Sequence, residues 1–144
     1  MPKPILTKPD IEQLATALSD TLVLVRRLVP NGQMSVTALS TLSRLEARGE
    51  SRVGDLADGE SVTQPAMTQL LSRLQEQGCI ERHADPDDGR VVLVSLTAAG
   101  RRLISNRRAV RAQALADRLA LLRPEELTAL AAALPTLQRL VAGT

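Results

Sequence analysis

A change of period inside one stretch limits this chain more than any other feature. In SVTQPAMTQLLSRLQEQGCIERHADPDDGRVVLVSL, Ser61 to Leu96, the residues Met67, Leu70, Leu71 and Leu74 recur at helical spacing until Gly78 stops the pattern. Beyond it, Cys79 and Ile80, then Val91 to Leu96, read as two short strands around the polar loop ADPDDGR, with Pro86 and Gly89 as turn residues. A helix feeding directly into a hairpin with a charged tip is the winged form of helix-turn-helix, a shape that fits duplex DNA.

With the Met67/Leu70/Leu74 stripe turned inward, Pro65, Thr68, Gln69, Ser72 and Glu76 point outward and Gln64 lies in the exposed first turn. Gln pairs bidentately with adenine, and a Thr or Pro carbon touches a thymine methyl. Many solvated helix faces look like this; the adjoining hairpin is what points to DNA. A short helix over about Val53 to Ala57, followed by a turn at Asp58 to Glu60, completes helix-turn-helix spacing. Ser61 and Gln64 suit a capping box, and Pro65 in the first turn costs little because it lacks only an N–H that has no helical partner.

The flanks are helical. Met1 to Pro9 holds three Pro and two Lys and is expected to be a loose or extended arm, with Asp10 capping a helix over Ile11 to Val29 that Pro30, Asn31 and Gly32 end. Arg26 and Arg27 sit at its C-terminal end, where positive charge is favourable without any DNA. Ser35 should cap a second helix from Val36 to about Ala47, with Leu39, Leu42 and Leu45 buried and Gly49 closing it. Thr97 should cap a long helix of about 25 residues, roughly 38 Å. Pro124 starts a last helix that Pro135 is expected to kink or break. These Leu- and Ala-rich terminal helices have nothing left in the chain to cover them, which implies a partner subunit. The fold class is therefore mainly α with a small β-hairpin wing (α+β): residues 34–96 form a winged helix-turn-helix, and residues 1–33 with 97–144 form a helical dimerisation region.

Composition narrows the function. The chain has no Phe, Tyr or Trp, so its core is aliphatic, and the stacking platforms of single-stranded nucleic-acid binders are missing. Net charge is only +2, carried by 16 Arg and 2 Lys, so any basic surface is local. Arg101, Arg102, Arg107, Arg108 and Arg111 read as a solvated stripe rather than a site. One Cys and one His exclude a disulfide framework and a single-chain zinc finger. No cofactor or metal is expected. No nucleophile, base and orienter set and no Gly-rich phosphate loop appears, which argues against an enzyme. Without a secretory or membrane-spanning apolar run, a cytoplasmic protein with no membrane partner is expected.

Three segments carry a family pattern: SRLQEQGCIER from Ser72 to Arg82, DPDDGR from Asp85 to Arg90, and VSLTAAG from Val94 to Gly100. In their order and spacing the chain resembles the MarR family of winged-helix transcription regulators. The resemblance implies a homodimer in which the first and last two helices interlock, with the helix from Ser61 to Gln77 in the major groove and the wing in the adjacent minor groove. The residues expected to meet double-stranded DNA are Ser61, Thr63, Gln64, Pro65, Thr68, Gln69, Arg73 and Arg90. By the likeness, Arg90 is the minor-groove contact, and Arg73 with Asp87 forms a structural ion pair holding the wing to the recognition helix. A narrow minor groove attracts Arg on electrostatic grounds as well.

Relatives that sense aromatic compounds often surround them with rings, which this sequence lacks. Any effector pocket would be aliphatic with Arg at its edge, suited to a small apolar or anionic molecule. The function expected is a homodimeric regulator, a repressor on a pseudo-palindromic operator, released by such a ligand. Two alternatives stand beside it. One is a winged-helix interaction protein that has lost DNA binding. The other is a redox regulator acting through Cys79, although Cys79 takes an apolar position facing the core, where packing is its expected role. His83, at the opening of the wing, is expected at the surface or against phosphate.

Overall fold

The computed structural model describes residues 7–143. Residues 1–6 of the expected arm lie outside the described residues. Helix α1 (Lys8–Leu28) already includes Lys8 and Pro9. Its cap is Thr7, not Asp10: the Thr7 N–H and Oγ1 donate to Asp10 Oδ2 at 2.8 and 2.6 Å, so Asp10 reaches back from the third helical position. Those two bonds hold its carboxyl below the ordinary 3.8.

Helix α2 (Val36–Arg48) is capped by Ser35, whose Oγ accepts from the Ala38 N–H at 3.0 Å, and ends at Gly49, where φ is 80°. It buries Ala38, Thr41, Leu42 and Leu45, while Leu39 is only half-buried. A two-residue strand β1 (Ser51–Arg52) follows, then α3 (Val53–Gly59), two residues longer than the spacing suggested.

The turn therefore falls later than Asp58 to Glu60. Ser61 carries it with φ 54°, a left-handed backbone that disqualifies it as a helix cap. Thr63, in the extended region, takes that role, its Oγ1 accepting from the Ala66 N–H at 3.4 Å. Helix α4 (Gln64–Glu76) buries Met67, Leu71 and Leu74, with Leu70 half-buried against the same core.

The hairpin consists of β2 (Ile80–Ala84) and β3 (Val92–Leu96). Its first strand is longer than Cys79 and Ile80 suggested and starts one residue later. The antiparallel register pairs Ile80 with Leu96, Arg82 with Val94 and Ala84 with Val92, and β1 adds to the far edge of β3 in the order β1-β3-β2. Because side chains alternate along a strand, Ile80, Val94 and Leu96 share the face turned to the core, and all are buried.

Helix α5 (Ala98–Leu119) has 22 residues, about 33 Å at 1.5 Å per residue. Its start is latched to the hairpin base. Thr97 Oγ1 accepts from the Gly100 N–H at 3.0 Å and donates to the Gly78 carbonyl at 2.6 Å, while the Thr97 N–H donates to the Cys79 carbonyl at 3.1 Å. Helix α6 (Pro124–Ala142) runs through Pro135 without interruption. The carbonyl that Pro135 leaves without a helical donor belongs to Ala131, an exposed residue that water can serve, which is why the expected break does not occur.

The chain divides into two compact units. The lobe Pro30–Ala109 contains the whole buried core, from Ala38 and Leu42 through Leu56, Met67 and Val94 to Ile104. Besides residues 34–96 it takes in Pro30 to Gln33 and the first turns of α5. The second unit comprises the described residues of Met1–Val29 and Val110–Thr144; neither α1 nor α6 has a buried residue.

Candidate nucleic-acid interface

The inward stripe of α4 determines what its other sides present. Pro65, Gln69 and Glu76 lie opposite the stripe and are exposed, as are Thr63 and Thr68. Gln64 is turned differently: its Nε2 lies 3.0 Å from where a Cβ on Gly54 would stand, so its amide lies against α3. Ser61 is exposed in the turn. The outward ridge of the first two turns thus carries no charge, only ring carbons, a hydroxyl and an amide.

Arg73 and Asp87 do not pair. Among the described residues neither forms an ion pair; Arg73 instead lines a cleft of about 210 Å³ with Ser35, Thr37, Ala66 and Gln69, on the flank of α4 that faces α2. The geometric reason is helical phase. Arg73 follows Leu70 by three residues and shares its flank, whereas the hairpin meets the opposite flank, that of Thr68 and Ser72.

There the connecting side chain is Arg82. Its Nη2 donates to the Thr68 carbonyl and to Ser72 Oγ, both at 3.2 Å, and Ser72 Oγ donates to the same carbonyl at 3.0 Å.

The wing tip is built by its own acids. Asp85 Oδ1 accepts from the Asp87 N–H at 2.9 Å, and Asp85 Oδ2 lies 3.5 Å from Arg52 Nη2 on β1. Asp88 Oδ1 accepts from the Arg90 N–H at 3.1 Å. The structural acid of the wing is therefore Asp85 rather than Asp87. Arg90 projects from the tip, exposed and without an ion-pair partner among the described residues. His83 is half-buried, its Nε2 3.1 Å from Glu50 Oε1. The helix-turn-helix is braced from behind by Arg44, whose Nε lies 3.0 Å from Glu60 Oε1 and whose Nη2 donates to the Gly59 carbonyl at 2.7 Å.

Arg82, Arg52, Asp85, Arg44 and Glu60 were not singled out from sequence. Arg82 had a signal: on the register of β2 it falls between Ile80 and Ala84 on the core-facing row, where a charge requires a partner. Cys79 is only 4% exposed, and burial pushes its thiol above the ordinary 9.0, the reverse of what a reactive thiolate requires. Among the described residues no group of three or more His, Cys, Asp or Glu could hold a metal, and no helix is long and apolar enough to cross a membrane.

Two helices around a turn, the second with a bare uncharged ridge, and a hairpin with a free Arg at its tip define a winged helix-turn-helix of the DNA-binding type. The MarR family profile matches residues 34–92. An uncharacterised HTH-type transcriptional regulator of Mycobacterium bovis is 38% identical over 97 residues, covering 67% of this chain and 68% of that protein. Among solved structures, a Pseudomonas aeruginosa protein is 33% identical with a TM-score of 0.74, covering 94% of this chain and 98% of that one. The Thermotoga maritima transcriptional regulator Tm0710, 20% identical, shares the fold with a TM-score of 0.79 over 94% of this chain and 96% of its own. The chain belongs to the MarR family of DNA-binding transcription regulators, which are not enzymes.

Proposed function

We propose that the protein is a homodimeric repressor that reads a pseudo-palindromic operator, with α4 of each copy in a major groove and each wing in the neighbouring minor groove. The observation that carries this reading is the uncharged ridge of α4 beside an Arg90 held out on a self-braced tip. Pro65, Thr68 and Gln69 meet base edges, Ser61, Thr63 and Gln64 border the groove, and Arg73 meets a phosphate at its edge. Half-sites then lie about one helical turn, roughly 34 Å, apart.

A second copy is supported by the unburied helices. On α1, Ile11, Leu14 and Leu22 are 56%, 56% and 64% exposed; on α6, Leu130, Leu134 and Leu140 are 46%, 53% and 64% exposed. Apolar surface of this extent is covered in a stable protein. Release from DNA follows when a small apolar or anionic effector favours a lobe separation that mismatches the operator, which requires unequal affinity for the two arrangements.

Mobility shift with promoter DNA from the protein's own operon, at two salt concentrations, tests the reading. Sequence-selective, salt-dependent retardation that falls about tenfold with Arg90→Ala is expected. No retardation, or a solution mass of one subunit, contradicts it.

A further inference from the structure

We infer that Arg82 is a positioning residue for DNA recognition: by joining β2 to the middle of α4 it sets the angle between the wing and the recognition helix without touching DNA. The inference rests on the DNA-binding reading above and adds to it the element that aligns the two contacting surfaces.

The hairpin is anchored to the lobe at its base. Ile80 and Leu96 are 2% and 4% exposed, and Thr97 latches the neighbouring turn. Toward the tip the apolar packing runs out: Ala84 and Val92, the last pair of the ladder, are both exposed. Arg82 sits between these two regimes, on the inner row opposite the fully buried Val94. Its Nη2 reaches two acceptors on successive turns of α4, the Thr68 carbonyl and Ser72 Oγ. Among the described residues no other hydrogen bond or ion pair joins residues 80–96 to α4.

The leverage follows from strand length. From Ile80 to Asp85, the residue after β2, the extended chain covers about 17 Å at 3.3 Å per residue, so a 10° rotation about the base moves the tip by about 3 Å. A displacement of that size takes Arg90 out of hydrogen-bond reach of any fixed acceptor.

Arg82 also occupies the groups it binds. The Ser72 hydroxyl is engaged by Arg82 and by the Thr68 carbonyl, so it is spent on the joint rather than on bases. The Arg82 Nε is buried with no partner among the described residues, so the attachment depends on Nη2 and on neutral acceptors alone.

Two measurements decide the matter. In the full chain without DNA, Arg82→Ala should speed amide exchange toward the tip, across Arg82–Ala84 and Val92–Val94, while the anchored base at Ile80 and Leu96 and helices α2 and α3 keep wild-type rates, and Arg82→Lys should restore part of the protection. Uniformly faster exchange, or none, overturns the tether. On operator duplex, Arg82→Ala and Arg90→Ala should each weaken binding about tenfold, and the double variant should be little weaker than either alone. Additive losses, or a salt dependence that falls on Arg82→Ala in the Arg90→Ala background, would show Arg82 acting on DNA directly and overturn the inference. The exchange arm needs no DNA. If the wild-type chain retards no duplex, the regulator reading fails while the tether is still judged by exchange.

Discussion

Replacing Gly100 by Ala sets helix propensity against tertiary packing and predicts the sign of the outcome. Inside a helix Ala is favoured over Gly by about 1 kcal/mol, so α5 considered alone would gain. In the lobe, a Cβ on Gly100 would overlap the Cys79 carbonyl oxygen and stand 3.0 Å from both the Cys79 carbonyl carbon and Leu96 Cδ2. Backbone cannot swing aside, so α5 must retreat. That carbonyl accepts the Thr97 N–H at 3.1 Å, and Thr97 Oγ1 reaches the Gly78 carbonyl at 2.6 Å, so both bonds loosen together. Overpacking costs about 1–3 kcal/mol and each hydrogen bond contributes about 1 kcal/mol, which leaves a net loss of about 3 kcal/mol after the helix gain. For a chain of this size that lowers Tm by about 10 °C. Urea and thermal unfolding followed by circular dichroism, at one fixed protein concentration, measure it. Gly54→Ala is the control, since its Cβ would meet only Gln64 Nε2 at the end of a flexible side chain, and it should lie close to wild type. A Gly100→Ala protein as stable as wild type, or more stable, refutes the account of the joint.

Arg73→Ala should lower the slope of log affinity against log salt by about one while leaving the unfolding midpoint in place, because Arg73 makes no ion pair among the described residues; a drop in stability would speak for a structural role instead. Glu60→Ala should cost about 2 kcal/mol in urea unfolding, since the Glu60 side chain is 9% exposed and leaves the Arg44 guanidinium without its carboxylate. Burial raises the Cys79 thiol in the folded state, so the unfolded chain ionises first. The associated stability is therefore complete below about pH 9 and declines as pH rises through the folded value. Cys79→Ala should flatten that alkaline decline in urea titrations from pH 8 to about 10.5, and an unchanged slope would contradict the assignment. Peroxide should leave DNA retardation by the native protein unaltered, as a sealed thiol reacts slowly.

The helices were legible where punctuation is unambiguous. Pro30, Asn31 and Gly32 end α1, Ser35 and Gly49 bracket α2, and Pro124 opens α6. The wing was legible for a similar reason, because DPDDGR is turn chemistry between two β-rich runs. Three features were not. Strand β1 is two residues with no apolar alternation, and only its pairing with Val94 and Leu93 makes it a strand. The cap of α4 was misplaced because Ser61 and Thr63 both suit an N-cap, and the left-handed backbone of Ser61 that decides between them is a product of the turn. The partner of the wing was misassigned because helical phase tells which residues share a flank, but not which flank the hairpin will cross. Arg73 was expected to hold the wing, and Arg82, which was not singled out, makes that connection instead.

The Pro65, Thr68 and Gln69 side chains make no hydrogen bond among the described residues and contribute nothing to the lobe's interior. A lineage can therefore rewrite them one at a time without first securing a compensating change elsewhere. On the proposed reading, in which these three side chains meet base edges, such a scaffold can change its target sequence through single steps that leave the buried core untouched.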